Sequence, residues 1–200
     1  PTQIAELDLD IPFNDHLIGE SYFFKNKKIN KPMDFSGKNY MSLVDQHNFL
    51  IQLIFPEISN SKSQLQLTES DYEFLLREMS LLPRESEFPK YGEDYYDSYC
   101  KFFIYVNSKQ RMPDHVKIFN KVGLAYGFLL DNAYIVDFEN KIEFFLSAVV
   151  YSNSNGVLND DSYDYDTLTM PFLADVGRAI YEYELQRDRE FDPDLSHLNK

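Results

Sequence analysis

The chain has 200 residues, 44% of them apolar and 16% aromatic, with a formal net charge of −14 at pH 7. That is enough for one packed domain or slightly more, and the negative charge argues against a nucleic-acid partner, whose phosphates need clustered Lys and Arg. Cys100 is the single cysteine, which excludes an internal disulfide framework and a multi-cysteine zinc site.

No run of about eighteen apolar residues occurs and no signal-like succession opens the chain, so neither a membrane span nor a signal peptide is expected in it. Pro1 stands first in place of a methionine, and the expectation is that a longer protein precedes it. Residues 1–35 read as irregular, with Pro12, Gly19, the basic cluster Lys25 to Lys31 and Pro32 around a short strand over Ser21 to Phe24. Ser36 or Asn39 is placed to cap a helix running to about Phe55, with Met41, Val44, Phe49, Ile51 and Ile54 as its apolar stripe; Pro56 ends it. After a polar linker over Ser59 to Gln64, Thr68 and Asp71 form a capping box with Asp in the place of Glu. The helix that follows, Asp71 to Leu82, carries Phe74, Leu75, Met79 and Leu82 on one face and stops at Pro83. Tyr95 to Val106 fits helix and strand equally by periodicity.

From His115 onward the composition turns to β-branched and aromatic residues. Val116 to Lys121, Ala133 to Phe138 and Lys141 to Tyr151 read as strands, the last two joined tightly through Glu139 and Asn140 as antiparallel neighbours are. After an acidic loop, Thr167 to Leu185 reads as a helix burying Leu168, Phe172, Val176, Ile180 and Tyr183. The expected fold class is α+β: helices, then a three-stranded antiparallel sheet portion, then a C-terminal helix packed on it.

That order, with Leu67-Thr68-Glu69 opening a helix and Ile118-Phe119-Asn120-Lys121-Val122-Gly123 in a strand, resembles the C-terminal part of a class A β-lactamase-like, penicillin-binding-type serine hydrolase. Members carry a Lys-Thr-Gly or Lys-Ser-Gly strand followed by two more antiparallel strands and a closing helix. The resemblance covers residues 36–185, leaving 1–35 as an irregular segment and 186–200 as a polar tail. It implies a partial β-lactamase or transpeptidase-like fold and an acyl-enzyme mechanism on an amide, peptide or ester substrate. Lys121 would supply positive charge, Gly123 close approach of substrate to the backbone, and the N–H of Leu124 an oxyanion donor. Substrate binding would fall to Val122, Gly123 and Tyr126.

Two departures from the family pattern matter. Val122 stands where enzymes that bind β-lactams have a hydroxyl residue, which favours a peptide or ester over an antibiotic. The family's nucleophile lies in a Ser-x-x-Lys opening a helix far upstream, with a Ser-x-Asn element between it and the motif strand. Here Ser59 to Lys62 falls in the polar linker, and Ser98 to Lys101 lies only about twenty residues before Lys121. The nucleophile is therefore expected in an upstream part of the same protein, which becomes a partner, and this chain alone is expected to be inactive. No cofactor and no metal is expected, and the family implies a periplasmic or secreted location.

Other candidates are weaker. Cys100, beside Tyr99, Phe102 and Phe103, reads as core filling. His16, His47, His115 and His197 lack metal-ligand spacing. The acidic loop Asn153 to Asp166 departs from EF-hand spacing and reads as solvated. Glu85, Glu87, Glu93 and Asp94 read as surface charge. An alternative from another class is a non-catalytic carbohydrate- or peptide-binding module, because fifteen tyrosines and seventeen phenylalanines would make a stacking surface if exposed. Burial of Tyr95, Tyr99 and Phe103 discriminates the two.

Overall fold

The computed structural model describes residues 16–58, 65–106 and 108–198. Its centre is an antiparallel sheet of three ten-residue strands in the order β5-β6-β7: Val116–Ala125, Phe128–Asp137 and Ile142–Tyr151. The β5–β6 hairpin closes through Tyr126 (φ 55°) and Gly127 (φ 88°), the positive φ at both turn residues matching the strand twist. At the next connection the Asp137 carboxylate accepts the N–H groups of Glu139 and Asn140, each at 2.9 Å.

Alternation along the strands builds two cores. Ile118, Leu129, Ala133 and Ile135 face Phe102, Phe103 and Leu173 on one side. Phe119, Tyr134 and Val136 face Leu50, Ile54, Leu195 and Leu198 on the other. Helices α1 (Leu43–Ile54) and α2 (Glu69–Ser80) cover the second face, and α3 (Met170–Gln186) the first. Two small sheets complete the described chain. β1 (Leu17–Ile18) pairs with β4 (Met33–Asp34), and β2 (Ser21–Phe24) lies between β3 (Lys27–Ile29) and β8 (Val157–Leu158).

The fold is thus mixed α+β with a C-terminal helix after the strands, as expected from the sequence. The Thr68 capping box forms as read, the Thr68 hydroxyl accepting from Asp71 N at 3.3 Å and the Asp71 carboxylate from Thr68 N at 2.8 Å. Elsewhere boundaries and faces move. Ser42, and neither Ser36 nor Asn39, caps α1, and the helix buries Leu50, Leu53 and Ile54 while Met41, Val44 and Phe49 are exposed. On α2 Phe74 is exposed and Leu76 packs inward with Met79. On α3 the expected face is the wrong one: Leu173, Ala174 and Gly177 are buried while Leu168, Phe172, Ile180 and Tyr183 are exposed. The cause is steric. The backbone of Phe103 and Ile104 presses on α3 at Gly177, so the helix turns its small residues inward.

Tyr95 to Val106 is neither helix nor strand but a run of turns, with Cys100 (φ 59°) and Ile104 (φ 70°) in the left-handed region. Its N–H groups at Phe102 and Phe103 find the side chain of Asp131, at 3.0 and 3.3 Å, in place of periodic backbone partners.

Candidate active site at the open edge of the sheet

Among the described residues β5 is an edge strand, so alternate N–H and C=O groups along it have no strand partner there. The two-residue loop makes Ala125 and Phe128 a hydrogen-bonded pair, and every second position of β5 from Leu124 back to Ile118 therefore points away from β6. The bonds Phe138 N to His115 O (2.9 Å) and Lys101 Nζ to Ile118 O (2.9 Å) agree with this register. Upstream of the motif the edge is closed. Lys101, only 3% exposed, sets its ammonium against Ile118 O, Met79 O (2.7 Å) and Asn120 Oδ1 (2.7 Å), while Asn120 Nδ2 donates to Cys100 O at 2.7 Å.

From Lys121 onward that cover ends. Lys121 is exposed and its ammonium bends back to the outward carbonyl of Val122 at 2.7 Å. Leu124 is 45% exposed, and its N–H points to the open side. The Val122 side chain packs into the first core, so only its backbone faces the edge. Among the described residues an added Cβ at Gly123 would meet nothing closer than Leu130 at 3.8 Å; their packing does not demand a glycine there. Tyr126 lies at the hairpin tip, its hydroxyl accepting from Lys38 Nζ at 2.9 Å and its ring meeting Phe35 edge to face.

A buried polar network supports this edge. The Asn120 carboxamide links Lys101 to Asp131, donating to Asp131 Oδ1 at 2.9 Å while accepting from the ammonium. Asp131 is fully buried. Burial pushes its carboxyl up to about 6, against the downward pull of the Asn120, Phe103 and Phe102 donors and of Lys101, and burial likewise pushes the Lys101 ammonium down to about 8. Neither Lys101, Asn120 nor Asp131 stood out in the sequence as a connected set, because their separations carry no periodic signal.

Neither Ser98 nor Ser147, the serines beside a lysine motif or a histidine, is poised as a nucleophile. Ser98 is buried and donates to Ser108 O at 2.8 Å, and Lys101 is engaged elsewhere, so that Ser-x-x-Lys string is structural. The Ser59 to Lys62 string lies outside the described residues. Ser147 approaches His47 Nδ1 at 2.7 Å, yet Asn132 Nδ2 donates to Gln46 O, which leaves Asn132 Oδ1 to take the Ser147 hydroxyl proton at 2.5 Å. Ser147 then accepts from His47, and the trio pins α1 to the sheet. His115 faces Glu139 (3.3 Å) and Asp137 (3.8 Å); His16 faces Asp34, and His197 packs on Phe55. Cys100 is half-buried, and burial raises its thiol.

Among the described residues no group of three or more His, Cys, Asp or Glu converges as a metal site. In the acidic loop Asp164 takes Ser154 N at 2.8 Å and Asp160 takes Asn155 Nδ2 at 2.7 Å. Glu85 accepts from Leu82 N at 3.0 Å, while Glu87, Glu93 and Asp94 are exposed. A hollow of about 1220 Å³ lies towards the other end of β5, lined by Phe55, Tyr72, Phe119, Glu143 and His197 among others but not by Lys121. Its hydroxyls are spent locally: Ser80 on Arg77 O, Ser70 against Thr68.

No protein-family model, no curated protein and no solved structure matches the chain. No helix in the described residues is long and apolar enough to cross a membrane.

Proposed function

We propose that this chain is the C-terminal part of a β-lactamase-related serine hydrolase, working by an acyl-enzyme on an amide, peptide or ester. What supports the reading most is where the edge opens: among the described residues β5 is covered as far as Asn120 and free from Lys121. An ammonium and an outward backbone N–H then lie together on an accessible border. The serine would come from a part of the protein outside these residues. Its oxygen attacks the acyl carbonyl, whose electron pair moves onto the oxygen facing the Leu124 N–H. The intermediate then collapses: the bond between the acyl carbon and the leaving group breaks, and the leaving group departs with the proton given up by the serine. Lys121 holds the substrate's negative end and favours that proton transfer, and Gly123 leaves room for the substrate against the strand. Water then attacks the acyl-serine ester and frees the acid. With Val122 turned inward, no hydroxyl meets a β-lactam carboxylate, so a peptide or ester substrate is favoured. A periplasmic or secreted location belongs to the same proposal and rests on the resemblance alone.

The test uses the longer protein and an activated ester such as a p-nitrophenyl acyl ester. The expected result is a covalent adduct visible by mass spectrometry, lost when the upstream serine is replaced, with Lys121→Ala slowing acylation about 100-fold. No adduct, or full acylation by the Lys121→Ala variant, removes the reading. The chain of residues 1–200 by itself is expected to form no adduct.

A binding module is a second reading favoured by a specific observation. Phe103 is fully buried, as the hydrolase reading expects, but Tyr95 and Tyr99 are 46% and 47% exposed.

A further inference from the structure

Tyr91, Tyr95 and Tyr99 recur every fourth residue through the run of turns that leads to the closed part of the β5 edge. Their rings pack on one another with centroids 5.0 to 5.8 Å apart, Tyr95 and Tyr99 meeting edge to face. Mutual packing fixes the rings without hiding them, since Tyr95 and Tyr99 keep nearly half their surface and Tyr91 is half-buried. The cluster adjoins the open edge through Cys100. The Cys100 carbonyl accepts from Asn120 Nδ2 at 2.7 Å, which ties the residue after Tyr99 to the strand position before Lys121.

We propose that Tyr91, Tyr95 and Tyr99 form a stacking wall near the open strand edge at Lys121 that takes a neutral pyranose ring, making the substrate an acylated carbohydrate. The acyl half of this assignment rests on the hydrolase reading; the sugar half stands on the wall itself. A pyranose is apolar on its C–H face and polar around its rim. It therefore matches fixed, wet aromatic faces that carry hydroxyls, whereas a wholly apolar ligand is held in an enclosed pocket. Glu93 and Asp94, exposed in the turn between Tyr91 and Tyr95, add acceptors for sugar hydroxyls and repel an anionic sugar.

Calorimetric titration of the 200-residue chain with cellotetraose, chitotetraose and tetragalacturonate tests the wall without any turnover. The expected result is saturable binding of at least one neutral tetrasaccharide and none of the acidic one. Tyr95→Ala and Tyr99→Ala should each weaken it about tenfold, and Lys28→Ala, exposed on β3, by less than about twofold. Both tyrosines are half-exposed, and an unchanged thermal midpoint confirms that the variants are folded. No saturable binding, binding indifferent to the tyrosines, or preference for the acidic sugar overturns the wall. Neutral-sugar binding together with a longer protein that forms no acyl adduct overturns the acylated-substrate assignment alone, and acylation without sugar binding overturns the wall alone.

Discussion

Asp131→Ala is expected to lower stability by about 3–5 kcal/mol, read as a fall in the guanidinium midpoint at pH 7, and to leave much of the protein unfolded. The substitution strands several groups at once. Phe102 N and Phe103 N lose their acceptor, Asn120 Nδ2 loses one of its two, and the buried Lys101 ammonium loses the anion that Asn120 links to it. Each orphaned donor costs the desolvation of a polar group with nothing in return. The same site has a pH signature. Burial raises the Asp131 carboxyl to about 6, above the usual value of about 4, so between those pH values the folded chain holds more proton than the unfolded one. Its contribution is full below about pH 4 and is lost as pH rises through about 6. Asp131→Asn, neutral at every pH, should lack that drift, and a variant with the parent's pH dependence would remove the assignment.

The second large effect sits at the other side of the same segment. Gly177→Ala places a methyl 2.5 Å from Ile104 N, 2.9 Å from Phe103 Cβ and 3.0 Å from Phe103 Cα. Two of these are backbone atoms that no rotamer change can move, and the helix is further held there by Arg178 Nη1 on Ile104 O at 2.7 Å. Overpacking of this kind costs about 1–3 kcal/mol or more, outweighing the gain of about 1 kcal/mol that alanine brings to a helix interior. The thermal midpoint is expected to fall by several degrees. A midpoint that rises would show that α3 shifts freely against Phe103.

These two sites mark where the sequence was legible and where it was not. The three strands and the Thr68 cap are local patterns, alternation and a hydroxyl three residues before its acid, and both were readable. α3 carries apolar residues on two faces, so periodicity could not choose; the deciding contact, Gly177 on Phe103, spans over seventy residues. The turns around Cys100 were unreadable for the same reason, since Asp131 satisfies their N–H groups from another element. Of the proposed site, the chemistry-bearing residues Lys121 to Leu124 were visible as a motif. That the strand edge is plugged just before them by Lys101 was not, because a lysine buried at 3% exposure runs against every compositional expectation.

The outward ridge of Leu168, Phe172, Ile180 and Tyr183 sets how the molecule behaves in bulk. Copies carrying −14 each hold one another off in dilute buffer, where that repulsion reaches tens of ångströms, but at physiological ionic strength it fades within about 8 Å. The oily ridge loses nothing to added ions. Self-association along the ridge is therefore expected to rise with added salt, and concentrated stocks to keep best at low ionic strength.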